Sequence, residues 1–339
     1  MNPLRLSWVF ALAGVVLLLV LAAVVSAKAV AQAWLAGFIV LSGFPIGAVA
    51  LLMIGRLTGG RWAEVFGPEL RRLAAWTPWL FLFAAPFLIA PRLVFQWAET
   101  PEKTPDLLKL YFSPALFAVR TLLALGLWSG FGLAFSRGRP GPAMAGLGLT
   151  LHGLALVLIP NDWILSLNPR WTTSNIAMIG AAMQILSACA LILILTRGRP
   201  APASADLAGF VAAMVLALVY LGYMAFLIVW YGDIPPRSAF FLARRAEPWT
   251  YAPLLAVVLG IVSLAIMGMD DRRLGPGRFV WAALAAMAGE LVFLAWLLGP
   301  NLVPAAFAIA VLAIAVQLAW LLGPPAWPGV EPLRRPRHA

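Results

Sequence analysis

Three side chains able to carry a charge lie deep inside long apolar runs of the sequence: Arg120, His152 and Glu290. A charge in hydrocarbon costs about 3 kcal/mol or more, so each needs a partner or a wet cavity. Two further clusters mix acids, bases and hydroxyls with aromatic rings. The first is Asp162-Trp163-Ile164-Leu165-Ser166-Leu167-Asn168-Pro169-Arg170-Trp171-Thr172-Thr173. The second is Trp230-Tyr231-Gly232-Asp233-Ile234-Pro235-Pro236-Arg237. The chemistry open to such groups is proton transfer. A carboxylate at the mouth of a helix bundle can accept a proton from a quinol hydroxyl, and it can equally pair with Arg170. Arg120 and Glu290 fit a proton path or quinone pocket. They also fit a purely structural role, pairing with one another or with helix ends. His152 reads as a relay or as a hydrogen bond across helices. An interfacial aromatic belt accounts for the tryptophans and tyrosines, but not for Asp162, Ser166, Arg170 and Asp233 among them.

Other chemistries lack their residues. The one cysteine, Cys189, sits in an apolar run, and the two histidines, His152 and His338, are far apart. An internal disulfide, a thiolate metal cage, a haem attachment motif and an iron–sulfur spacing are all missing. A redox group would have to diffuse in or sit on a partner. The net charge of +11 comes mainly from arginines in short loops, which points to topology and anionic lipid headgroups rather than nucleic acid.

The elements that must position these groups are membrane helices. Of 339 residues, 63% are hydrophobic and only 11% charged, too few polar groups to cover a soluble surface. Apolar segments of about 20 residues, each long enough to span, run over 7–27, 33–55, 73–95, 111–135, 142–160, 173–196, 206–231, 250–269, 277–298 and 303–323. The first is too long for a signal-peptide core and reads as a retained helix. The expectation is an all-α integral membrane protein of about ten helices. A single polytopic domain covers 1–324, and a short basic tail covers 325–339.

Basic residues set the orientation. Arg5, Arg56, Arg61, Arg71, Arg72, Arg137, Arg139, Arg197, Arg199, Arg272, Arg273, Arg278, Arg334, Arg335 and Arg337 fall on the side of the termini. The other side carries fewer: Lys28, Arg92, Lys103, Lys109, Arg170, Arg237, Arg244 and Arg245. Both termini, and the tail, are therefore expected in the cytoplasm of a multi-pass protein of the bacterial inner membrane. The turns Arg137-Gly138-Arg139-Pro140 and Arg197-Gly198-Arg199-Pro200 are near-identical and hint at a repeat. Gly43 and Gly47 form a G-x-x-x-G pair suited to close helix approach.

The two polar–aromatic clusters resemble the F subunit of bacterial alternative complex III, a quinol:cytochrome c oxidoreductase in the NrfD-like, polysulfide-reductase-type group. The first is similar to that family's D-W-x-x-S-L-[EN]-P-x-W-x-[ST] stretch through Asp162, Trp163, Ser166, Leu167, Pro169, Trp171 and Thr173. The second resembles W-Y-x-N-[IL]-P-E-E through Trp230, Tyr231, Ile234 and Pro235. Leu57-Thr58-Gly59-Gly60-Arg61-Trp62, Lys109-Leu110-Tyr111 with Phe117 and Arg120, and Glu290 with Trp296 and Pro300 follow weaker family segments in the same order. Departures cluster at the outer mouth. Pro236-Arg237 replaces a glutamate pair, Arg170 a histidine and Asp233 an asparagine.

The resemblance implies two four-helix bundles, helices 2–5 and 6–9, flanked by helices 1 and 10. It also implies partner subunits carrying haem and iron–sulfur centres, no covalently bound cofactor on this chain, and a quinone or quinol as its small molecule. The expected role is accessory: a quinone-pocket or proton-route subunit of electron transport. The expected site residues are Asp162, Trp163, Ser166, Arg170, His152, Arg120, Glu290, Tyr231 and Asp233. Asp162 would accept protons at the outer mouth, with His152 further inward and Arg120 and Glu290 as a deeper pair. Two other readings are a stand-alone transporter or proton channel, and a structural scaffold subunit.

Overall fold

The computed structural model describes residues 3–103, 106–167, 173–233, 235–269, 275 and 277–321. Every span is helical because lipid offers backbone groups no partner, so each N–H and C=O must be satisfied within its own segment. The ten long helices are α1 (Pro3–Val24), α2 (Ala27–Thr58), α3 (Gly67–Ile89), α4 (Pro114–Arg137) and α5 (Pro142–Trp163), followed by α6 (Ile176–Leu195), α7 (Ala201–Tyr231), α8 (Ala252–Met267), α9 (Gly277–Leu298) and α10 (Pro304–Leu321). Local signals start and stop them. Ser26 and Ser113 accept from the amides of Ala29 and Leu116 at the starts of α2 and α4. Gly59, at φ 71°, ends α2 in a conformation that a side chain would strain.

Eight of these helices are long and apolar enough by themselves to cross a membrane, and α8 is a shorter apolar helix of 16 residues. No strand occurs among the described residues. The chain is an all-α integral membrane protein. Large apolar side chains face outward all round it, among them Leu19, Leu123, Leu154 and Val311, as lipid permits.

Several helix boundaries differ from the sequence expectation by a few residues, as the starts of α2 at Ala27 and α7 at Ala201 show, and two of the shifts have a clear local cause. The third span lies at 67–89 rather than 73–95, because the polar turn Gly67–Ala74 is helical and tucks Arg72 inside, while Pro91 stops the far end. The fourth begins at Pro114, where Ser113 caps it, not at Tyr111. The third span is also broken at Thr77–Trp79 by a turn of 3-10 helix, whose Thr77 hydroxyl donates to the Ala74 carbonyl at 2.8 Å. A Cβ on Gly132 of α4 would lie 2.6 Å from that same carbonyl, so α4 crosses close against the break.

The helices α2–α5 pack on one another, as do α6–α9. The first group meets the second where α2 lies along α6, and α10 lies along α2 with α1 outside it. Polar links between loops show that successive helices alternate in direction. On the face shared by the chain's start and the α10 end, Arg56 Nε donates to the Pro140 carbonyl at 2.8 Å and Arg61 meets Asp206 at 3.3 Å. On the opposite face, Lys28 meets Glu99 at 2.6 Å, and the Val303 amide donates to Gln32 Oε1 at 2.8 Å.

The seam between the bundles depends on the glycine pair. A Cβ on Gly47 would sit 1.9 Å from the Gln184 carbonyl oxygen, and one on Gly43 would sit 3.1 Å from Ser187 Oγ. We expect Gly47→Leu to force α2 from α6 and lower the melting temperature in detergent by several degrees, as overpacking by about 1–3 kcal/mol would. Gly126→Ala, with open space around it, should leave that temperature unchanged.

Candidate functional site

Two buried polar centres lie one in each bundle. The first is built on Asp162, at the last turn of α5. Arg120, from α4, grips it with two parallel hydrogen bonds, Nε to Oδ2 at 2.7 Å and Nη2 to Oδ1 at 3.0 Å. The same Nη2 donates to the Tyr111 carbonyl at 2.9 Å, and the guanidinium lies 3.9 Å from the Tyr111 ring centroid. Burial, then the negative charge of Asp162, pushes the Tyr111 phenol up to about 12, so it stays protonated beside the pair. Asp162 is fully buried, and the Ser166 hydroxyl donates back to its carbonyl. The fork-to-fork geometry satisfies both ions, which is what a charge pair away from water requires.

Rings fill the space beneath. Trp163 Nε1 donates to Thr121 Oγ1 at 3.3 Å, and Trp128 Nε1 donates to His152 Nδ1 at 3.0 Å. That bond places the lone pair of His152 on Nδ1 and joins α4 to α5. Trp163 meets Phe38 edge-on at 4.9 Å and Trp128 at 6.1 Å. Asp162, Trp163, Ser166, Arg120 and His152 are thus brought together. They form a packed, internally satisfied column.

The second centre is open. A cavity of about 920 Å³ lies among α6–α9. Glu290 of α9 lines its inner part, and the Ser187 hydroxyl of α6 donates to Glu290 Oε1 at 2.8 Å. Val215, Gly222, Phe226, Ala286 and Phe293 make an apolar wall. Asp233, Arg245 and Thr250 stand at the loop end, on the face opposite the chain's start. A volume in the range of small-molecule pockets, mostly apolar and with a few convergent polar groups, is the form of a ligand site.

Arg244 frames that loop end. It is buried, and its guanidinium donates to the carbonyls of Trp296, Leu297 and Phe240, each at 2.8 Å. It thereby caps the carboxyl end of α9, where free carbonyls and the helix dipole favour a cation. Its Cζ lies 3.4 Å from the Phe240 ring centroid. Burial draws the guanidinium down to about 9, against the stabilisation the carbonyls supply.

The geometry corrects the expected partnership of Arg120 with Glu290. Arg120 belongs to the first bundle and holds Asp162, while Glu290 belongs to the second and is held by Ser187. A depth estimate along two helices carries no information about which bundle each faces. Asp162 is paired with Arg120, and Arg170, the other partner foreseen for it, lies with the rest of 168–172 outside the described residues. Asp233 reaches the cavity, but Tyr231 does not line it and is 81% exposed. Sequence reasoning missed Ser187, Arg244 and the cavity itself. Ser187 and Gln184, polar residues three apart inside apolar α6, were the available signal.

Among the described residues, no group of three or more His, Cys, Asp and Glu could hold a metal ion. No family model and no curated protein matches this chain.

The Arg120–Asp162 pair gives a direct test of the packed centre. Asp162→Ala leaves a buried guanidinium without its partner and should cost about 3–5 kcal/mol. Arg120→Met combined with Asp162→Leu should cost much less than the two single changes together. Thermal unfolding of wild type, Asp162→Ala, Arg120→Met, Asp162→Leu and the double variant in the same detergent measures both expectations.

Proposed function

We propose that this chain is an accessory membrane subunit of a quinol:acceptor oxidoreductase, of the alternative complex III kind, and that it holds a quinol in the cavity of the second bundle. One observation carries the reading: a cavity of about 920 Å³, apolar along its walls, with a single carboxylate at its inner part. A quinol has a flat ring that aromatic and aliphatic walls accommodate, and hydroxyls that need a polar partner. Glu290 accepts a proton from one hydroxyl, and Ser187 holds the carboxylate in position. The electrons pass to haem or iron–sulfur groups on partner subunits, as the sequence resemblance implies. The distribution of basic residues supports a placement in the bacterial inner membrane with both termini in the cytoplasm. The loop end of the cavity then faces the outer side, so protons from quinol are released there.

In this reading the Asp162 column is a brace, and the groups near the cavity do the binding. Arg244 keeps the end of α9 in place and so fixes the direction in which Glu290 projects.

The experiment isolates the assembled complex from its native membrane and measures quinol oxidation. The chain should co-purify with haem- and iron–sulfur-bearing subunits. Glu290→Gln should lower the rate about a hundredfold, the scale of a lost general base, in a complex that still assembles. Ser187→Ala should lower it by a smaller factor. Purification of the chain without such partners, or an unchanged rate in Glu290→Gln, overturns the reading. Substrate-dependent flux through liposomes containing the chain alone would place it among transporters instead.

A further inference from the structure

The cavity of the second bundle has a thin side. α8 packs along α9 and α7 along α6, but α7 and α8 touch each other only sparsely. Several side chains that line the cavity are at the same time largely exposed. On α7 these are Val219 at 39%, Tyr223 at 58% and Phe226 at 38%, and on α8 Leu254 at 62%. The wall there is made of exposed side chains on two helices that touch sparsely, which leaves a gap between them as its weak point. Gly222 lies in the same stretch, and a Cβ built on it would meet Phe293 across the cavity at 3.3 Å.

The depth of this gap decides what can enter. Tyr223 and Val219 lie about 12 and 18 Å along α7 from its end at Tyr231, at 1.5 Å per residue. α7, with 31 residues, is about 46 Å long and overhangs a hydrocarbon core of about 30 Å by some 8 Å at each end. Both residues therefore sit below the headgroups, where the surrounding medium is acyl chain. A water-soluble molecule does not reach an opening at that depth, whereas a molecule dissolved in the bilayer meets it directly.

We propose that the gap between α7 and α8 is a lateral portal for a bilayer-resident ligand with a polar head and a long apolar tail. The head reaches Glu290 and the tail stays in the gap, against Val219, Tyr223 and Leu254, in contact with lipid. The proposal rests on the quinol reading for the head and adds the tail and the route. It accounts for a feature that a ring alone does not use: the apolar length of the cavity between Glu290 and the outer surface.

The test uses the full chain in nanodiscs. Trp230, Trp249 and Trp296 line the cavity, so a bound quinone quenches tryptophan fluorescence. Two probes are titrated: a benzoquinone with an isoprenoid tail of several units, and the same ring with a methyl group in the tail's place. Concentrations are expressed per lipid. The variant is Val219→Phe with Leu254→Phe, which fills the gap from its exposed side, and its melting temperature is checked against wild type. The tailed quinone should bind wild type about tenfold more tightly than the tailless ring, and the variant should lose that advantage while holding the tailless ring with little change. Equal affinities in wild type, or a tail advantage that survives both substitutions, overturns the portal. If neither quinone quenches wild type, the quinol reading fails by itself. The portal is then decided by phospholipid retained through purification, measured by native mass spectrometry. Retention by wild type and loss in the variant supports it, and equal occupancy in the two, zero included, overturns it.

Discussion

The close crossing of α2 and α6 governs the arrangement of everything else. Gly47 brings the α2 backbone against the Gln184 carbonyl, with no room for even a methyl group between them. In lipid no hydrophobic force drives helices together, so such backbone approach, which multiplies van der Waals contact, does the joining. Because α2 belongs to the first bundle and α6 to the second, this contact sets the position of each bundle against the other. It also brings Gly43 against Ser187, the residue that holds Glu290 on the next helix over.

The two bundles solve the same electrostatic problem in opposite ways. The first neutralises its buried carboxylate within itself. Asp162 has a bidentate arginine, a protonated phenol and a serine beside it, and rings packed edge-on fill the space below. A centre so fully satisfied ties α4 to α5 and leaves no capacity for a ligand. The second leaves its carboxylate with one hydroxyl partner and a cavity in front of it. An ionisable group kept within a membrane bundle without a counter-ion is where function concentrates. The contrast explains why the polar cluster that begins at Asp162 became the brace, while a single glutamate in a plain-looking helix faces the open space.

Arg244 belongs to a third arrangement. It has no carboxylate partner among its bonds, and two carbonyls at the end of α9 and one in the short helix Pro235–Leu242 accept its hydrogen bonds. In the sequence Arg244 is simply a positive charge in a loop outside the membrane. Its planar fork instead reaches across to another helix and anchors the end of the element that carries Glu290.

Much was determined by the sequence alone. Ten apolar stretches, an all-helical chain and the close approach at Gly43 and Gly47 follow from hydropathy and residue size, which are properties of one segment at a time. The three deep ionisable residues were legible for the same reason, since depth is counted along a helix. What only the tertiary structure decided is which way each of them faces. Arg120 and Glu290 lie at comparable depths, yet the rotation of α4 turns one toward Asp162, and the rotation of α9 turns the other toward Ser187. The cavity is still less visible in one dimension, because it exists through sparse packing between α7 and α8, and an absence of contact leaves no residue to mark it. Pairing and void are properties of neighbouring helices together, and so the polar residues foreseen deep in the chain acquired their separate roles only when it was folded.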